Sequence, residues 1–197
     1  MGMEPGGAQS HATAALFEAW FKKGGSEREA AFQWLAAVPD EEARRSAMQR
    51  VGWNWAIGEP AAAREFLAGP YGGLAPANTV HLIASIQAGA NPEKTMQWAG
   101  GLPADRRENA RDGALSGWVQ ARPEGAAEFV RALPAGAERT RAIETVSQNF
   151  AWQSSGQAAQ WFSTLSSAEK VTAQKGFERA NLPDEKQREL NAAIGVP

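Results

Sequence analysis

The chain has two histidines, His11 and His81, and no cysteine. The missing thiols exclude a disulfide framework, Cys-ligated zinc, iron–sulfur clusters and a cysteine nucleophile. Neither histidine stands in an H-E-x-x-H run or beside paired carboxylates, so no metal site is expected. Serine is plentiful, yet no G-x-S-x-G elbow occurs, and the glycines form neither G-x-G-x-x-G nor a P-loop, so no catalytic residue and no cofactor is assigned. The carboxylates of Asp40, Glu41 and Glu42, and of Asp184 and Glu185, adjoin in sequence. Acid and base in glycoside chemistry face each other across a cleft, so these groups are expected to complement helix N-termini instead. Arg44-Arg45 and Arg106-Arg107 follow acidic residues closely and read as solvated helix faces.

Eight tryptophans in 197 residues are the least ordinary feature. Trp34, Trp55, Trp98, Trp118 and Trp161 fall on a regular lattice and are expected in the core; Trp20, Trp53 and Trp152 do not. Trp53 lies two residues before Trp55, and Trp152 two after Phe150, which on a helix turns each by roughly 160° from its buried neighbour. Exposed tryptophan near arginine is an interface anchor. The candidate binding set is therefore Trp53 and Trp152, with Arg50 and His81 as polar contacts.

Those residues depend on a repeat. AAFQWLAAVP, AAREFLAGP, KTMQWAGGLP, GAAEFVRALP and QAAQWFSTLS each place an aromatic, Trp34, Phe66, Trp98, Phe129 or Trp161, before a turn signal, at separations of 32, 32, 31 and 32 residues. Within a unit the apolar residues recur at i, i+3, i+4 and i+7, as at Ala126, Phe129, Val130 and Leu133, the spacing of one helix face. Pro60, Pro92 and Pro123 suit the first position of a helix, where the missing N–H costs nothing. Val38-Pro39, Leu102-Pro103 and Leu133-Pro134 close these helices, because a proline biases the preceding residue away from α geometry. A second helix follows in each unit, with capping-box spelling at Asp105/Glu108, Ser166/Glu169 and Asp184/Gln187, and Ser26/Glu29 spell the same for the first helix of the first unit. A second aromatic set, Trp55, Trp118 and Phe150, precedes the next unit's aromatic by 11 residues, so the two sets are expected to pack across the inter-unit turn. The Gly- and Pro-rich stretch 68–79 is expected to project as a longer loop. With 40 alanines and no alternating apolar pattern, no strand is expected.

Over roughly residues 26 to 182 the pattern resembles the αα-solenoid repeats of the tetratricopeptide-like and HEAT-like class, with a period of 32 and with Trp34-Leu35-Ala36-Ala37 where tetratricopeptide repeats carry W-x2-L-G-x2-Y. The resemblance implies an all-α, right-handed αα-superhelix of about five helical hairpins with capping helices at 11–23 and 184–194. The expected organisation is a flexible tail over 1–10 and a single helical repeat domain over 11–197. It also implies a non-enzymatic scaffold that binds another protein or a peptide. The alternative is a solenoid enzyme or binding domain that stacks tryptophans on nucleic acid or glycan. A structural spacer is a third reading. The net charge of −2 argues against nucleic acid. No apolar run reaches the roughly 18 residues of a membrane span, and MGMEPGGAQS lacks the basic and apolar regions of an export signal; the compartment, cytoplasmic or periplasmic, stays open.

Overall fold

The structure, a computed structural model, describes residues 5–195, and among them the fold is all-α with no strand. Twelve α-helices follow in order: α1 (Pro5–Phe21), α2 (Gly25–Ala37), α3 (Glu41–Gly58), α4 (Pro60–Ala68), α5 (Ala77–Ala88), α6 (Pro92–Gly100), α7 (Ala104–Ala121), α8 (Pro123–Ala132), α9 (Ala137–Gln153), α10 (Ser155–Ser163), α11 (Ser167–Arg179) and α12 (Asp184–Ile194). Helix α1 thus takes in residues 5–10 of the expected tail, whose first four residues lie outside the described residues. The chain divides into two compact units. One holds the residues up to Gln87 with Gln97–Gly113, the other Ala88–Met96 with the residues from Ala114 onward.

Local sequence sets the helix ends. Pro60, Pro92 and Pro123 are the first residues of α4, α6 and α8. Val38 and Leu133, each held extended by the following proline, end α2 and α8. Asp40 caps α3 by accepting from the backbone N–H groups of Glu42 and Ala43 at 2.9 and 3.2 Å. Ser166 and Glu169 form the expected capping box at the start of α11. Ser26, Asp105 and Asp184 instead lie within the first turns of α2, α7 and α12, so their side chains are not N-caps.

Within the first unit α1 packs on α3, and Phe17, Phe21, Phe32, Trp55 and Phe66 form an aromatic core, with Phe32 stacked on Phe66 at 4.5 Å. In the second unit α9 packs on α11 and α10 on α12, around Trp118, Phe150, Trp161 and Phe177. The two aromatic sets do meet across the turns: Trp55 and Phe66 at 5.0 Å, Trp118 and Phe129 at 5.0 Å, Phe150 and Trp161 at 6.1 Å. The lattice is less uniformly buried than its spacing suggests. Trp161 is buried, but Trp34, Trp98 and Phe129 are only half-buried. The positions buried in all five first helices are the ones beside them, Ala31, Ala63, Thr95, Ala126 and Ala158, and Leu35, Leu67, Ala99, Val130 and Phe162. The stripe facing the core is centred on this i, i+4 pair, so the aromatic at i+3 lies at its margin. There Trp34 meets Trp20 at 6.1 Å, and the Arg64 guanidinium lies 5.2 Å from the Trp98 ring.

Arg45 is exposed and pairs with Glu41 and Glu42 as its spacing implied, whereas other arginines take on structural tasks. Arg44 donates to the carbonyls of Val38 and Pro39, Arg107 to that of Leu102 at 3.0 Å, and Arg139 to those of Val130 and Leu133 at 3.1 and 2.9 Å. Each arginine belongs to the first turn of a second helix and satisfies the carbonyls left open where the preceding helix ends. Arg106 is buried outright, with its guanidinium reaching the carbonyl of Gly69 and pairing with Asp105. The stretch 68–79 folds over it instead of projecting: Gly72 is buried, a Cβ there would lie 2.2 Å from the Arg106 guanidinium, and Tyr71 stacks on Phe32 at 6.3 Å.

Two further contacts fix the hairpins. Arg28 on α2 makes a bidentate pair with Glu59, just past α3, at 2.8 and 2.7 Å. Glu93 on α6 pairs at 3.0 Å with Arg122, just past α7, with the charges exchanged. Backbones meet where side chains are missing. A Cβ on Gly113 would lie 2.2 Å from the carbonyl oxygen of His81 on α5, and one on Gly176 would lie 2.4 Å from that of Glu144 on α9.

Gly176→Ala is therefore expected to lower stability by about 1–3 kcal/mol, the usual cost of forcing volume into a packed contact. Gly58→Ala, with nothing within 4 Å, should be neutral or slightly stabilising; urea titration of both variants compares them. A second expectation concerns pH. The Ser166 hydroxyl, then its backbone N–H, then Arg139 hold the Glu169 carboxyl at about 2, below its ordinary 4.5. Because the folded value is the lower one, the stabilisation is present above an unfolded value of about 4.5 and is lost as pH falls toward about 2. Glu169→Gln should flatten stability across that interval, read from urea midpoints at its two ends.

Candidate functional site

The four residues singled out in the sequence are divided between the units: Arg50, Trp53 and His81 belong to the first, Trp152 to the second. Helix α3 buries Val51, Gly52, Trp55 and Ala56, which turns Trp53 outward at 56% exposure. Ile57, one turn on and on the same face, is exposed to 55%. Arg50 is exposed but engaged by another side chain of the protein. It pairs with Glu18 of α1, whose carboxylate also accepts from Lys22 at 2.7 Å, and Lys22 with Arg50 holds that carboxyl below its ordinary range. His81 is half-buried on α5 with its backbone against Gly113, and desolvation pushes its imidazole below the usual value, toward the neutral form.

Trp152 also has an internal task. Its Nε1 donates to the carbonyl of Ala180 at 2.9 Å, and the Lys186 ammonium of α12 stands 5.3 Å from its ring. Asn181 follows in the left-handed conformation, so the indole satisfies a carbonyl at the turn that ends α11. About half of the side chain remains exposed. Of the four, Trp53 is the one whose exposed surface has no structural work attached to it here, and its neighbour Ile57 was not found by sequence reasoning. The offset of four from Trp53 was the available signal.

Two clefts accompany these residues. In the first unit a cleft of about 190 Å³ is bordered by Glu18, Arg28, Arg50, Asn54 and Glu59 over Phe21 and Trp55, and its charges are paired with one another. The Trp55 indole N–H is buried there without an acceptor among the described residues, as is that of Trp118 in the second unit. In the second unit a groove of about 170 Å³ runs between α8 and α10. Helix α8 contributes Glu124, Ala127, Glu128 and Arg131, and α10 contributes Gln157, Gln160 and Trp161, with Thr164 just past its end, each set at i, i+3, i+4 and i+7. Phe150 closes the floor. Sequence reasoning missed this groove because the same offsets had been assigned to the buried stripe on the adjacent face.

The carboxyls at Glu18, Glu59 and Glu169 are all held low by hydrogen bonds, chiefly from cationic partners and from Ser166, whereas a proton-donating acid needs its value raised. Ser167 and Lys170 have the S-x-x-K spacing at the start of α11, but the Lys170 ammonium lies 5.3 Å from the Phe162 ring. Among the described residues no three His, Asp or Glu side chains gather as a metal would require, and no helix is long and apolar enough to cross a membrane. No protein-family model matches the chain, and neither does any curated protein or solved structure.

Burial separates the tryptophans energetically. Trp161, buried with its Nε1 donating to Ser147 at 2.9 Å, should cost about 3–5 kcal/mol when replaced by alanine. Trp53→Ala should stay within about 0.5 kcal/mol of wild type. Guanidinium titrations of the two single variants measure the difference, and equal losses would contradict the exposure assigned to Trp53.

Proposed function

We propose that the protein is a non-enzymatic helical repeat scaffold that holds another protein or a peptide. The architecture we infer is a right-handed αα-solenoid of about five hairpins, with α1 and α12 at its ends. Support comes from packing at one period: α1 on α3, α9 on α11, α10 on α12, and burial of the same two positions in all five first helices. Side-chain hydrogen bonds recur at similar separations, as from Asn149 to Ser116 and from Gln153 to the Val119 carbonyl. Such arrays present helix faces repeatedly to a partner.

The observation that carries the binding reading is the exposed Trp53 and Ile57 pair on one face of α3. Large apolar side chains left in water lose nothing in the fold when they are covered, and tryptophan dominates the energetics of interfaces. A nucleic-acid or glycan reading has weaker support. Arg44, Arg107 and Arg139 donate to carbonyls, Arg28, Arg50, Arg122 and Arg179 pair with carboxylates, and the net charge of −2 gives no excess of cations for phosphate.

The test is capture of partners from the source lysate by wild type and by a Trp53→Ala/Ile57→Ala variant, with a photo-crosslinker placed at Asn54. Expected is a partner recovered by wild type and reduced at least about tenfold by the variant, the loss usual for a central anchor. Equal recovery by both removes this face from the function.

A further inference from the structure

We infer that the groove between α8 and α10 receives a lysine or arginine side chain from an extended segment of a protein partner. This rests on the scaffold reading but on a different surface, since every residue of the groove belongs to the second unit.

The argument starts from two carboxylates with nothing to do. Glu124 and Glu128 stand one turn apart on α8, both exposed, and neither joins an ion pair or side-chain hydrogen bond among the described residues. Elsewhere the acidic side chains at the hairpin contacts are matched, as Glu59 with Arg28, Glu93 with Arg122, Glu144 with Arg179 and Glu169 with Arg139. Like charges at i, i+4 repel and weaken a helix. Glu124 gains from the N-terminus of α8, whereas Glu128, beyond the first turn, has only Arg131 at i+3, with which it forms no ion pair. A cation entering between them removes the repulsion.

The rest of the groove suits the same occupant. Phe150 and Trp161 form an aromatic floor, and the Trp161 N–H is already given to Ser147, which fixes the ring and leaves the floor apolar. Long basic side chains pack their methylene stems on such surfaces while the charged head stays at a polar rim. Gln157 and Gln160 line the opposite wall with amides that can both donate to and accept from an extended backbone. Arg131 stands at the far end, one turn past Glu128, and gives the groove a direction: the cation belongs at the Glu124 end. The space of about 170 Å³ takes one long side chain and no folded domain. Two carboxylates against one guanidinium disfavour an anionic occupant.

The probe is a dye-labelled library of short peptides with lysine or arginine at a central position, compared with the same library carrying glutamate there. Fluorescence anisotropy should show binding of the cationic library alone, weakening as salt is raised. Hydrogen exchange of the complex should show protection over 123–131 and 155–163. Glu124→Gln/Glu128→Gln should weaken binding about fivefold or more, from two rim pairs. Its thermal midpoint should be unchanged or higher because repulsion is removed, so lost binding cannot be attributed to lost fold. Ala127→Leu, which fills the groove and keeps both carboxylates, should weaken binding too. Equal binding of the glutamate library, an unaltered double variant, or protection elsewhere overturns the assignment. If the charge variant captures lysate partners as wild type does while Trp53→Ala/Ile57→Ala does not, the groove proposal fails and the scaffold reading stands; if wild type captures none and binds neither library, both fail.

Discussion

Two helices approach to backbone contact only where one of them lacks a side chain, and this protein meets that condition at Gly113 and Gly176. At each, a carbonyl of the neighbouring helix occupies the volume a Cβ would need. The contacts join residues 32 apart, His81 to Gly113 and Glu144 to Gly176, so in both units the chain returns to the same contact after one hairpin. With the second helices held that close, Trp118 and Phe150 are placed where the aromatic of the next first helix can reach them.

The tight corners between helices follow from the same spacing. A hairpin that must return within three or four residues leaves carbonyls at the end of its first helix with no room for more chain to satisfy them. Arg44, Arg107 and Arg139 supply the missing donors from the first turn of the helix that follows. A guanidinium can reach several carbonyls from one position because its donors form a planar fork. Three of the chain's 20 lysines and arginines thus serve as donors at helix ends.

Much of the helical order was readable from residue order. Pro60, Pro92 and Pro123 open helices because a residue without an N–H fits there, and Ser166 with Glu169 forms its box because both partners lie within one turn. These are local causes. Trp34 and Trp98 show the limit: a period identifies residues that recur, whereas the burial of one particular face depends on what neighbouring helices cover. A shift of one residue moves a side chain by 100° around the axis. Arg106 failed for the same reason, since only the folded position of residues 68–79 buries it. The groove at Glu124 and Glu128 joins α8 and α10, which α9 separates in the chain, and no local pattern states that they face one another. Trp53 could be read as exposed because its buried neighbour Trp55 is on the same helix.

The exchanged ion pairs at the hairpin ends bear on how a chain of similar units avoids closing in the wrong order. Helices with similar apolar stripes invite misassembly, because a first helix can cover more than one second helix. Here the clamp of one hairpin is Arg28 with Glu59 and that of another is Glu93 with Arg122. Were α2 to close on α7, Arg28 would meet Arg122; were α6 to close on α3, Glu93 would meet Glu59. Both swapped partners would bring like charges together, while both native ones bring opposites. The polarity of a surface ion pair, worth little as stabilisation, thus favours the native pairing over the swapped one.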